Sequence, residues 1–233
     1  MRQRKIRFAA VAVLAVATLS GCVTVARMVI PTGLSERAER VEVTGLGAGT
    51  RGRTTVLGQS LEFTRSASRL ALFDERLVTD RGRVYFTLQA AGQPALPVNC
   101  GMKQRSVTLG VVGFEAKPFA FECTLGGPTP ATLSVQEGRS GVRTLKAERR
   151  GELRFDGRSV ALRSVHEVQG GALPLAAPIG YAFEEAGRPV AAVEINGLTP
   201  VLLLPATGDA ALRQRVLQAA LALALLWDPA GAA

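Results

Sequence analysis

Residues 181–228 read YAFEEAGRPVAAVEINGLTPVLLLPATGDAALRQRVLQAALALALLWD, and two hydrophobic periods meet within them. Tyr181 to Glu184 and Val190 to Ile195 flank a loop that contains Gly187, and Asn196-Gly197 then turns into Leu198 to Leu204. Short β-forming runs separated by such turn residues predict a meander of three antiparallel strands from Tyr181 to Leu204. Beyond it the period changes. Asp209 is an N-cap for a helix spanning 209–227, with its body from Ala210 to about Trp227, and Asp228-Pro229 ends it. Arg213, Gln214, Arg215 and Gln218 make its first half partly polar, whereas Ala219 to Trp227 is apolar on every side. A helix of that kind is buried in protein or in lipid. Its uninterrupted apolar part rises only roughly 14 Å, against a hydrocarbon core near 30 Å, so it reads as a core helix and not a span.

Period two continues upstream. Glu152 to Phe155 and Ser159 to Leu162 flank Asp156-Gly157, a type I′ hairpin signal. Leu61 and Phe63 alternate with polar neighbours, and Arg69 to Phe73, Arg83 to Leu88, Val107 to Val112, Pro118 to Leu125 and Ala131 to Val135 are further strand candidates. Phe119, Phe121 and Cys123 share one strand face. Gly138-Arg139-Ser140-Gly141 is a loop. The fold class is therefore mainly β: antiparallel strands, as a barrel or a sandwich, packed on one buried C-terminal helix. The strands of Tyr181–Asp228, the turn at Gly187 and the terminal helix from Leu212 to Asp228 resemble the tubby and phospholipid-scramblase architecture. That resemblance implies a closed barrel threaded by its terminal helix. No counterpart of tubby's phosphoinositide-binding residues is present. The residues by themselves leave a sandwich or an open sheet equally open.

The other end of the chain carries a leader. Arg2, Arg4, Lys5 and Arg7 precede an apolar run from Phe8 to Leu19, about 12 residues and too short to span a bilayer. It closes on Leu19-Ser20-Gly21-Cys22, which resembles the lipobox of bacterial lipoprotein precursors. The resemblance implies removal of residues 1–21 and acylation of Cys22, with membrane attachment through acyl chains worth about 0.8 kcal/mol per buried CH₂. By the same resemblance, Val23 after the cysteine points to the outer membrane, on its periplasmic face. Residues 22–40 read as a tether, in which Val25, Met28, Val29 and Ile30 lie near lipid or pack on the domain. Residues 41–228 read as one β-rich domain, and 229–233 as a tail.

With Cys22 acylated, Cys100 and Cys123 remain as an even pair suited to a disulfide in an oxidising compartment. The rival reading is a metal pair, but His166 is the only histidine and no ligand cluster surrounds either cysteine. No metal and no cofactor are expected. The leader holds four of the 28 basic residues and none of the 19 acidic ones, so the remaining chain is about +5 where the whole is +9. Its arginines are scattered, as expected if strands alternate an outward arginine with an inward apolar residue. Positive charge suits anionic headgroups, and with so few aromatic residues no nucleic-acid platform is expected.

Candidate chemistry is sparse. Ser164 and His166 fall on one strand face and Glu167 on the other, which argues against a triad. Gly138-Arg139-Ser140-Gly141 is one residue short of a nucleophile elbow. Glu184-Glu185 and Glu194 could be an acidic pair, but solvated hairpin ends explain them. No catalytic residue is assigned. The expected function is a lipid-anchored, non-catalytic module that scaffolds an envelope protein or binds an apolar ligand, in the second case within a cavity lined by Phe119, Phe121, Phe183 and Tyr181. The alternative is an envelope hydrolase acting through His166 or paired carboxylates.

Overall fold

The alternating runs fall on strands of one antiparallel sheet in the computed structural model, which describes residues 26–73, 76–109, 112–138 and 146–227, except that Val107 to Val112 is not one strand but the end of one and the start of the next. The leader, Cys22, the Arg139–Ser140–Gly141 part of the glycine loop, Asp228-Pro229 and the tail lie outside the described residues. The strands are β1 (Ala38–Glu42), β2 (Arg51–Val56), β3 (Gln59–Leu72), β4 (Leu77–Gln89), β5 (Leu96–Leu109) and β6 (Val112–Leu125). They continue as β7 (Ala131–Glu137), β8 (Arg149–Phe155), β9 (Arg158–Val165), β10 (Gly180–Glu185), β11 (Arg188–Glu194) and β12 (Val201–Pro205), before α1 (Ala210–Leu225). From β2 to β12 every strand pairs with its chain neighbours, and β1 pairs with β12. The chain neighbours β1 and β2 therefore form the two edges, and the sheet curls into a nearly closed barrel.

The seam between those edges is filled by the chain that joins them. The Thr54 hydroxyl donates to the Thr44 carbonyl at 2.9 Å, and the Arg65 amide donates to Thr50 at 2.7 Å. The Arg65 guanidinium gathers three carbonyls: Gly49 at 2.9 Å, Leu46 at 3.2 Å, and Gly47. The tight hairpins follow their signals. Asp156 and Gly157 take φ of 48° and 73°, and Ala186 and Gly187 take 50° and 73°. Two successive positive φ values match the twist of the flanking strands, which is the type I′ geometry.

Helix α1 occupies the barrel axis. Val216 to Leu223 are eight successive residues, none more than 1% exposed. Eight residues make more than two turns, so every side of the helix is covered. It touches β4, β5, β6, β8, β11 and β12, strands spread round the sheet. Asp209 caps it, accepting from Ala211 N at 2.8 Å and Leu212 N at 3.1 Å. The helix stops at Leu225, short of Trp227, because Leu226 is extended (φ −63°, ψ 119°). Its partly polar half is buried too. Arg215 donates to Gly126 O (2.8 Å), to Gln218 Oε1 (3.0 Å) and to Thr129 O, and Gln218 donates to Gly126 O at 3.0 Å. These bonds tie the β6–β7 loop to the helix. Gly127, at φ 154°, lies so close that an added Cβ would stand 2.7 Å from the guanidinium.

Three sequence expectations change. Arg65 and Arg149 point inward, at 7% and 2% exposure, because loop carbonyls and an aromatic lining need donors there. Strand β12 begins at Val201 and not at Leu198, which is 80% exposed. Pro200, with no N–H for the ladder, instead lends its carbonyl to Val43 N at 2.9 Å. The expected tether is packed from residue 26 onward. Met28 and Leu34 form an outer cluster with Val165, Ile179, Ala182, Ala192 and Leu203. That strap explains why β10, β11 and β12 are apolar on both faces: one face meets α1 and the other meets residues 26–38. Among the described residues no helix is long and apolar enough to cross a membrane.

Candidate functional site

Ser164 and His166 do come together. His166 follows the end of β9 and is 2% exposed. Its Nδ1 lies 2.9 Å from the Leu175 carbonyl, which only accepts, so Nδ1 carries the ring proton. In the neutral ring Nε2 is then the acceptor for the Ser164 hydroxyl, 2.9 Å away. Ser164 Oγ in turn accepts from the Arg149 amide at 2.9 Å. The result is a chain of hydrogen bonds from the start of β8, through β9, to the loop after it.

This resembles a serine nucleophile with its base, but the third member differs. Glu167 does not reach the ring. Its carboxylate accepts from the His166 amide at 3.2 Å and from Lys146 Nζ at 3.2 Å. A carboxylate on Nδ1 stabilises an imidazolium that forms during catalysis; a neutral carbonyl does so far less. The Arg149 amide also occupies one of the two lone pairs of Ser164 Oγ. An open hollow of about 480 Å³ is lined by Lys146, Arg150, Arg163 and Glu184 together with Ser164 and His166, although by register Ser164 shares the inner face with its partner Tyr181.

The carboxylates separate. Glu184 pairs with Arg163 at 2.7 Å, and Glu185 with Arg158 at 2.8 Å. Arg158 also pairs with Asp209. Glu194 lies at the other end of the strand pair, where Gly180 is its partner. It is 5% exposed beneath the N-terminal strap and accepts from Arg27 at 3.2 Å and Met28 N at 3.3 Å. The Asp209 carboxyl is held below its usual range by the Leu212 amide and then by Arg158. Among the described residues no group of three His, Cys, Asp or Glu side chains could hold a metal.

Phe119, Phe121, Phe183 and Tyr181 all face the interior, in the same core as α1. The sequence gives no hint that Arg149 joins them. Its guanidinium stands 3.6 Å from the centre of the Phe119 ring and donates to Tyr181 Oη at 3.1 Å. Arg65 likewise lies 4.7 Å over Trp227, past the helix terminus. Alternation alone cannot mark such arginines, since their partners come from distant strands. Cys100 and Cys123 are cross-strand neighbours on β5 and β6, with their sulfurs at disulfide distance, 2.09 Å. Compared with known protein families, curated proteins and solved structures, the chain matches none.

Proposed function

We propose that the chain is a lipid-anchored envelope protein whose barrel is a non-catalytic binding or scaffolding module, held to the outer membrane through acyl chains on Cys22. Occupancy of the interior carries the non-catalytic part. The barrel axis holds the protein's own helix, and the Ser–His pair is fixed on both sides by backbone groups. An apolar ligand would have to displace α1, so the outer wall and the barrel ends are the surfaces for a partner. The Cys100–Cys123 pair supports an oxidising compartment. The threaded barrel supports kinship with the tubby and scramblase architecture, proposed for the architecture alone.

The Ser164–His166 distance favours one rival, a serine hydrolase acting in the hollow at Lys146 and Arg163. A fluorophosphonate probe separates the two readings. The module reading expects no labelling of the purified protein, and His166→Ala that leaves the phenotype of the intact gene in place. Covalent labelling at Ser164, abolished by His166→Ala, would establish the hydrolase. The anchor is tested by fractionation: the wild-type chain should sediment with membranes, and Cys22→Ala should not.

A further inference from the structure

Nine large hydrophobic side chains are exposed among the described residues, and six of them gather at one end of the barrel. Leu173 and Leu175 lie on the β9–β10 connection and Leu198 on the β11–β12 connection. Leu70, Leu72 and Phe73 lie at the tip of the β3–β4 hairpin. All three connections open at the Trp227 end. Among the nine, the opposite Asp209 end carries Leu57 alone. Ala26 also lies at the Trp227 end, where Asn196 Nδ2 donates to its carbonyl at 2.6 Å.

Strands β3 to β6 project past this end. Strand β2 stops pairing with β3 at Thr64, and β7 stops pairing with β6 at Ala120. Beyond those points the four strands pair only with one another, for about 25 Å along β3 at roughly 3.3 Å per residue. Register orders the outer face of this projection in rows. The row nearest the tip is Leu72–Leu77–Val107. Behind it stands Leu70–Thr79–Arg105–Lys117, and behind that Ser68–Arg81–Lys103. Arg83 follows. Arg81, Arg83, Lys103, Arg105 and Lys117 line one hollow of about 410 Å³, and no described carboxylate pairs with any of them.

We infer that the projection is a membrane-docking element, and that the barrel meets an anionic bilayer with its Trp227 end, hairpin tip first. Rows on one strand face are about 7 Å apart. An apolar tip seated 5–10 Å into the boundary between headgroups and acyl chains therefore sets Arg105 and Lys117 at the phosphates. The inference rests on the proposed acylation of Cys22 for its occupant. Only three residues separate Cys22 from Ala26, so the acyl chains start within roughly 14 Å of this same end.

The test places an indole at either end of the mature full chain in vesicles of phosphatidylethanolamine and phosphatidylglycerol with brominated acyl chains. Phe73→Trp should give blue-shifted emission quenched by bromine, against the constant background of Trp227. Leu57→Trp should stay in water. Arg105→Ala and Lys117→Ala should each lower the ratio of inserted to free tip about fivefold, and less as salt rises. Phe73 and Leu57 are exposed, so neither change threatens the fold. Intact mass of the same sample keeps the two ideas apart. An acylated protein whose indole at position 73 remains unquenched overturns the docking element and leaves the anchor standing. A non-acylated protein whose indole at that position is still quenched supports the docking element and overturns the anchor.

Discussion

At Ser164 the hydroxyl bonds to His166 and accepts from the Arg149 amide, so it links the start of β8 to the loop after β9. In a buried setting such a chain rigidifies the backbone it joins, and removing one member leaves others unpaired. His166→Ala should therefore lower stability by about 1–3 kcal/mol in urea unfolding, and Ser164→Ala by about 1 kcal/mol. Unchanged unfolding midpoints for both would mean that the pair is not part of the scaffold. Asp209 has a different role, as both helix cap and partner of Arg158. Its carboxyl titrates lower in the folded chain than in the unfolded one. The stability it contributes is therefore present above the unfolded carboxyl range, near pH 4, and is lost as pH falls through the lower folded value. Asp209→Ala should cost about 0.5–2 kcal/mol at pH 7, and the difference from wild type should shrink as pH falls below 4. A gap that stays constant down to pH 2 would contradict this account of the cap.

At the scale of elements, α1 supplies the barrel core. Leu221→Ala should destabilise by about 2–5 kcal/mol, whereas Leu57→Ala on an exposed turn should stay within about 0.5 kcal/mol. A small effect at Leu221 would show that the interior does not depend on the helix. This helix was legible because Ala219 to Leu225 is apolar on all sides, a pattern with few uses other than enclosure. The β8–β9 hairpin was legible because Asp156-Gly157 permits two positive φ values. Closure was not legible. Alternation reports which face of a strand is dry, and a barrel and a sandwich dry their strands alike. The strap was missed for a related reason: Met28 and Leu34 sit in a stretch of mixed polarity, and their partners, Val165 and Leu203, are far away in sequence. The shared face of Ser164 and His166 could be read from parity. The Leu175 carbonyl and the Arg149 amide could not, because backbone partners leave no mark on residue type.

Over the whole molecule, one inner row runs through Arg65, Val84, Cys100, Cys123, Leu133 and Leu153, at the neck where the projection leaves the barrel. The cysteine pair therefore clips β5 to β6, a central and an edge strand of that projection, at its base. Cys100→Ser with Cys123→Ser should cost about 2–5 kcal/mol, and a reducing agent should lower the midpoint of the wild-type chain by a comparable free energy. Insensitivity to reductant would mean that the bond is not formed in the mature protein. Charge, apolar surface and the position of Ala26 all favour the Trp227 end, and the proposed acylation of Cys22 would give a reason for that polarity. The most direct measurement is therefore the intact mass of the protein extracted from envelope membranes. The account predicts a chain that begins at Cys22, carries acyl mass and is two hydrogens lighter than its reduced form. A chain that retains residues 1–21, or a mature chain with no acyl mass, would contradict it.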